Sequence, residues 1–200
     1  MASLSILNIL NHIEMSEIEE GSSTYYHVLV EAIKHAFNDR DRYLTDPEFV
    51  NIPVKELLSP QHGLELAEKI KDSERAKELQ LRDAKGDTVW FGIVDEYGNA
   101  VSMIQSIYHE FGSGFIPKDT GIILQNRGSY FSLDENHVNA LAPRKRTFHT
   151  LNPAMLLKDG KPALVYGTMG GEGQPQTQAA LVTRIVDYRM NVQEAIEAPR

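Results

Sequence analysis

The sequence predicts an α+β chain in which helices precede and follow antiparallel strands. Three observations carry this. Through the first 87 residues apolar side chains recur at helical spacing. At Thr88 the hydrophobic period drops from about 3.6 to about 2 and stays there through two candidate hairpins. Beyond Gln174-Pro175 the helical spacing returns.

Residues 1–10 read as the interior of a helix, and the chain stops at Ala198-Pro199-Arg200 just after another; both ends read as cut from something longer. The apolar stretch Leu4 to Leu10 is interrupted by Ser5 and Asn8 and has no preceding basic residue, so it lacks the pattern of a signal peptide. Tyr26, Leu29, Ile33 and Phe37 mark a helix with Ser22, Ser23 or Thr24 as candidate N-caps, halted by Asp46-Pro47. Ser59-Pro60 opens another, leading into Leu64, Ala67 and Ile70. Ser73 to Leu81 is predicted as a short charged helix, and residues 82–87 as a polar loop.

Thr88–Val94 and Ala100–Tyr108 are predicted strands, joined by the three-residue loop Glu96-Tyr97-Gly98 with glycine at the left-handed position. Pairing Thr88 with Ser106 gathers Val89, Phe91, Ile93, Val101 and Met103 on one face and leaves Thr88, Gly92, Ser102, Ser106 and Tyr108 on the other. A slip of one residue mixes the two sets. Gly121–Leu124 is predicted as a short strand, and Met155–Leu157 is predicted to pair with Ala163–Tyr166 across Lys158-Asp159-Gly160-Lys161. A glycine-rich turn, Gly167 to Gly173, then leads into a helix with Leu181, Ile185 and Tyr188 on one face, and a last helix spans Val192–Ala198. There are no internal repeats and no low-complexity segments.

Composition narrows the function classes. The 200 residues are 42% hydrophobic and 24% charged, ordinary for a globular protein able to bury a core. A net charge of −8, with no basic run to offset it, argues against nucleic-acid binding. No run is apolar enough to suggest a membrane span; the sequence does not identify the compartment, and the lack of a signal-peptide pattern in these residues favours the cytoplasm. Without cysteine there is no disulfide, thiol nucleophile or cysteine metal site. The seven histidines show no metal-ligand spacing. No cofactor or metal is expected.

Some residues allow chemistry. A threonine hydroxyl needs a base beside it, and an N-terminal threonine supplies its own α-amine, which titrates near about 8. Thr88 opens a strand after a polar loop ending in Gly86-Asp87, a place where cleavage would expose a new N-terminus; pattern alone favours the plainer reading, a β-branched strand opener. Gly167-Thr168-Met169-Gly170-Gly171-Glu172-Gly173 is either an oxyanion cradle of bare N–H groups or simply a tight turn, and it lacks the nucleotide P-loop pattern. Arg127 reads as a carboxylate-binding fork or a solvated loop charge, and His149 as a site residue or a surface histidine.

Longer matches go further. Asp87 to Asp95, Gly98-Asn99-Ala100-Val101-Ser102, Phe111-Gly112-Ser113-Gly114 and Thr120 to Asn126 together resemble the start of the gamma-glutamyltransferase small subunit. Tyr26 to Val50, with Glu31-Ala32 and Asp39-Arg40-Asp41-Arg42-Tyr43, resembles the end of its large subunit, and Gly170-Gly171 and Asn191 to Arg200 match as well. The resemblance implies an N-terminal-nucleophile (Ntn) hydrolase with an αββα sandwich and a precursor cleaved before Thr88. It assigns residues 1–87 to the C-terminal helical part of the large subunit and 88–200 to the N-terminal part of the small one. It also implies association of these two subunits, with pairing of two such heterodimers as a further expectation. Thr88 falls on the nucleophile, Ser106 on the hydroxyl residue beside it, and Gly170-Gly171 on the oxyanion hole.

The departures concern the substrate. Val89-Trp90 stand where the family usually has Thr-His. Tyr108, Arg127 and Tyr130 align with the amide and acidic residues that hold a glutamyl ammonium, and His149-Thr150 with a serine pair. A pocket that gains a cation and loses an acid no longer suits an ammonium. The chain therefore resembles the branch of glutaryl-cephalosporin acylase-like and oxamate amidohydrolase-like proteins, and the expected substrate is a small amide with an acidic acyl group. A true gamma-glutamyltransferase and a catalytically silent fragment or interaction module are the alternatives. The family's carboxylate-binding arginine falls upstream of Met1 and its final strands beyond Arg200, so an incomplete pocket and little self-cleavage are expected of these 200 residues.

Overall fold

A computed structural model describes residues 1–71 and 88–199; the predicted helix Ser73–Leu81 and the loop at 82–87 lie outside the described residues. The chain divides into two compact units, residues 1–81 with 175–200, and residues 82–174.

The first unit is helical: α1 (Ala2–Leu10), α2 (Ser23–Tyr43), α3 (Val54–Leu57), α4 (Pro60–Lys71), most of α5 (Gly173–Val186) and α6 (Val192–Glu197). Ser22 caps α2, its Oγ accepting from the Tyr25 N–H at 3.1 Å. Ser59 serves α4 in the same way, accepting from His62 N–H at 3.2 Å. The core joins Ile6, Ile9, Tyr25, Leu29, Phe37, Leu66 and Ala67. Asn8, an interruption of the apolar run in sequence, is a structural tie: its Nδ2 donates to Ser59 O at 2.9 Å. A Cβ on Gly63 would sit 2.7 Å from that amide, so α4 can approach α1 only because position 63 is glycine.

Two helix predictions need correction. Leu181 and Ile185 are only half-buried and Tyr188 lies past the end of α5. The deeply buried positions are instead Gln178, Ala179, Val182, Thr183 and Arg184. Polar side chains are tolerated there because each finds a partner: Ser3 Oγ donates to Gln178 Oε1 at 2.9 Å, and Thr183 Oγ1 donates to the carbonyls of Ala179 and Ala180. The last helix ends at Glu197, opened by a capping box between Asn191 and Glu194.

The second unit contains two antiparallel hairpins, β1 (Val89–Val94) with β2 (Ala100–Gln105) and β3 (Ala154–Lys158) with β4 (Lys161–Tyr166). The β1–β2 register is the one predicted: Val89 faces Gln105, Phe91 faces Met103 and Ile93 faces Val101. The ladder stops one pair short of Thr88 and Ser106, which occupy the next positions of that register. At the turn the Asp95 carboxylate accepts from Tyr97 N–H and Asn99 N–H, and Gly98 takes φ +83°. The β3–β4 turn, Asp159-Gly160, has positive φ at both residues, as a two-residue hairpin requires. An irregularity at Leu156/Leu157 breaks the ladder's regular pairing.

The predicted strand Gly121–Leu124 is not one. Gly121 turns left-handed at φ +66°, and pairing is confined to Leu124, which accepts from Ser113 N–H and donates to Phe115 O. The fold is thus α+β with small antiparallel sheets.

Arg184 is the polar centre of the helical unit. It is 2% exposed, its Nε donates to Glu20 Oε1 at 2.7 Å, and its other nitrogens reach the carbonyls of Ala195, Ala198 and Pro199. Removing one partner of a buried ion pair strands the other charge. Arg184→Ala is expected to cost roughly 3–5 kcal/mol of stability, measured by urea denaturation, with the segment after α6 losing protection in hydrogen exchange.

Candidate active site

All nine site residues expected from the sequence fall within the second unit. Thr88 and Ser106 continue the β1–β2 register on the face that carries Trp90, Gly92 and Ser102. Ser106 Oγ accepts from Tyr108 N–H at 3.0 Å, which helps to hold Tyr108 in a left-handed conformation, φ +78°, that an aromatic residue seldom adopts. The segment that follows is stitched to residues 124–126. Asn126 N–H donates to Ile107 O at 3.2 Å, and Asn126 Oδ1 accepts from His109 N–H at 2.9 Å. A Cβ on Gly112 would sit 2.5 Å from Leu124 O, so glycine is needed there as well.

These ties deliver Arg127 to the interior. It is 5% exposed, so it is not the solvated loop charge that its sequence position allowed. Its Cζ lies 5.1 Å from the centroid of the Tyr108 ring, and Nη1 reaches Thr150 Oγ1 at 3.5 Å. Tyr108 packs on Tyr130 with centroids 4.9 Å apart, and Tyr130 meets Phe148 edge-on at 4.7 Å. Tyr108, Tyr130 and Thr150 are all buried.

Among the described residues no carboxylate forms an ion pair with Arg127. Burial lowers its pKa from the ordinary value, though a guanidinium stays charged. Burial also raises the Tyr130 phenol, so it stands protonated. His149, whose surface remains exposed, is held below its usual pKa by the burial of part of its ring and then by the Arg127 charge. The group therefore presents one fixed cation, a neutral phenol and a histidine biased toward its neutral form.

Gly170 and Gly171 turn left-handed at φ +104° and +50°, and a Cβ on Gly170 would meet nothing within 4 Å. Their carbonyls accept from Gly173 N–H and Gln174 N–H and so close onto the start of α5. Gln174 Oε1 in turn accepts from Asn152 N–H at 3.1 Å, two residues past Thr150. One chain of bonds thus runs from the glycine turn to the Arg127 group.

Sequence reasoning passed over several contributors. Asn139 is buried and donates to Tyr130 O at 2.9 Å, pinning the loop that carries that ring. Gln174 showed only as a residue before a helix-starting proline. Trp90 was visible only as a departure, and its contact with Gly167 has a signal in retrospect: a lone tryptophan flanked on its own strand face by glycine. No cluster of three or more metal-ligating side chains occurs among the described residues.

Comparison with known proteins settles the family. Residues 1–200 match the gamma-glutamyltranspeptidase family. The chain belongs to that family. It is 57% identical over 197 residues to a glutathione hydrolase-like YwrD proenzyme of Bacillus subtilis, covering 98% of this chain and 37% of that protein. It is 50% identical to an oxamate amidohydrolase proenzyme of Klebsiella pneumoniae, covering 100% of this chain and 37% of that protein. A crystal structure of cephalosporin acylase from Bacillus halodurans superposes with a TM-score of 0.81 at 38% identity, covering 100% of this chain and 36% of that one. The gamma-glutamyltranspeptidase family chain thus spans little more than a third of the length of these relatives.

Arg127→Met tests whether the buried cation serves the fold. Replacing a buried guanidinium that has no carboxylate partner among the described residues by an apolar chain of similar length removes its desolvation cost and strands no counter-charge, so stability stays unchanged or rises. The expected result is a melting temperature equal to the parent's or higher. A drop of about 4 °C or more, on the order of 1–2 kcal/mol at this size, would make Arg127 a structural residue.

Proposed function

We propose that the whole protein is an Ntn-type amidohydrolase or acyltransferase that cleaves itself before Thr88 and then forms an acyl-Thr88 ester with an amide whose acyl group bears a free carboxylate. The observation that carries the substrate class is the buried Arg127 guanidinium, which has no carboxylate partner among the described residues and sits against Tyr108 and Thr150. A bound carboxylate would supply the missing anion, and the neutral phenol of Tyr130 and hydroxyl of Thr150 would donate to it without adding a competing acid. The names borne by the oxamate amidohydrolase and cephalosporin acylase relatives support acidic amides as the place to search.

In this reading residues 1–87 end the large subunit and 88–200 begin the small one. The proenzyme names of the relatives support processing of this kind. The freed α-amine of Thr88 takes the proton from its own Oγ1, the hydroxyl oxygen attacks the amide carbonyl, and the oxyanion that forms is met by the N–H groups of Gly170 and Gly171. The departing amine takes the proton, leaving an ester on Thr88 that water or a second amine resolves. Ser106 stands beside the nucleophile in the continued register and positions it. We assign the complete protein the αββα sandwich. Support comes from the apolar face of β1–β2, where Val89, Phe91, Ile93, Val101 and Met103 are 43–57% exposed and suited to cover by another layer.

Two outcomes are expected. The full-length protein should turn over amides of dicarboxylic acids in preference to gamma-glutamyl anilide, because an ammonium placed beside Arg127 is costly. Arg127→Gln should weaken the acidic substrate by roughly 1.5–3 kcal/mol in kcat/KM; equal or better turnover of gamma-glutamyl anilide by the parent would refute the assignment.

Self-cleavage is read by intact mass. Thr88→Ala should leave an uncut and inactive precursor, while Thr88→Ser, which keeps the hydroxyl, should still process. The 200 residues alone are expected to cleave little, since misplacement by about 1 Å costs about 10²-fold. An uncut full-length precursor that hydrolyses amides would remove Thr88 from its role.

A further inference from the structure

Trp90 is the only tryptophan in the chain, and two glycines make room for it. A Cβ on Gly167 would fall inside the van der Waals envelope of the indole at Cδ1, Nε1 and Cγ. A Cβ on Gly92 would lie 3.2 Å from Cη2, at the far end of the ring system, and 3.0 Å from Val165 Cγ1. The indole therefore lies flat between the nucleophile strand and the end of β4. Its Nε1–H donates to Ser102 Oγ at 2.9 Å, and Ser102 Oγ reaches Tyr166 O at 3.5 Å, the residue before Gly167. The ring thus packs within β1–β2 through Gly92 and Ser102 and reaches through Gly167 the stretch that runs on into Gly170-Gly171.

We infer that Trp90 is a positioning residue: through Gly167 and Ser102 it sets the glycine turn relative to the strand that begins at Thr88. The inference rests on the roles proposed above for Thr88 and for Gly170-Gly171. An oxyanion donor contributes only when it is aimed at the position the oxygen takes in the transition state. Among the described residues a Cβ on Gly170 would meet nothing within 4 Å, so side-chain packing does not fix its position. A spacer packed three residues upstream on Gly167, where only glycine leaves room for the ring, and closely on Gly92 at its other end, supplies that fixity. Because the indole acts on the turn and not on the bound acyl group, its loss should appear in kcat and not in KM.

A double-mutant cycle in the full-length protein tests this. Trp90→Ala should lower kcat about 10²-fold with KM changed by no more than about threefold. Trp90→Phe retains a flat ring over Gly167 and should recover kcat to within about tenfold of the parent. Gly167→Ala should eject the indole, shifting the emission of the sole tryptophan and lowering kcat as far as Trp90→Ala does. The double variant should be no slower than either single one, since an alanine at 167 meets no ring once Trp90 is gone. Losses in kcat that add, or an unchanged emission in Gly167→Ala, would overturn the inference. Should Gly167→Ala fail to fold, the kcat against KM split of Trp90→Ala and the rescue by Trp90→Phe decide the matter alone. Turnover that survives Thr88→Ala would fail the parent reading and this one with it. Additive losses in an enzyme that does require Thr88 would fail this one only.

Discussion

A guanidinium taken out of water costs several kcal/mol, on the order of the whole stability margin of a domain, unless its environment replaces the lost solvation. Much of the loop region from Ser106 to Asn152 is arranged around that cost at Arg127. The Tyr108 ring lies within cation–π distance, and Tyr108 holds it there by adopting a left-handed backbone that Ser106 Oγ helps to satisfy. Thr150 offers a long hydrogen bond, and the loop bearing Tyr130 is pinned by Asn139. These are weak compensations for a full charge.

The hairpin side of the site answers a different constraint, that of fitting a large flat ring between two strands. Glycine at 92 and 167 removes the side chains that would collide with Trp90, at some cost in chain entropy. In return the hairpin and the glycine turn share one rigid contact plus the Ser102 hydrogen bonds. The Gln174 to Asn152 bond then carries the same turn to Thr150. Strand face, glycine turn and buried cation are therefore connected by short bonds within one compact unit.

What could be read from sequence follows the range of the forces involved. The β1–β2 register was legible because alternation is local and a one-residue slip is penalised at every position. The starts of α2 and α4 were legible through Ser22 and Ser59, whose capping bonds span three residues. Gly121–Leu124 misled because its apolar run satisfies alternation, while its hydrogen-bonding partners at Ser113 and Phe115 are set by a left-handed turn that alternation does not record. The deeply buried positions of α5 were not legible for a related reason. Gln178 and Thr183 are polar by type but satisfied by partners, and hydrophobic periodicity cannot anticipate that. Arg127 was named as a candidate from the family alignment, but its burial depends on contacts with Tyr108 and Thr150, 19 and 23 positions away. Trp90 with Gly167 is longer range still.

Comparison with the other buried arginines, Arg40 and Arg184, shows that the state of Arg127 is not forced by the chain's general chemistry. Arg184, in the helical unit, is as deeply buried, and it is neutralised by Glu20 at 2.7 Å and by a set of carbonyls at the end of α6. A sequence with 28 acidic residues and a net charge of −8 has no shortage of carboxylates to place beside a cation. Where a guanidinium serves packing alone, as at Arg184, the fold supplies its counter-charge. At Arg127 the described residues supply an aromatic face and a hydroxyl instead. A buried guanidinium with no carboxylate partner among the described residues, in a chain so rich in carboxylates, is what supports the proposal that a ligand brings the anion.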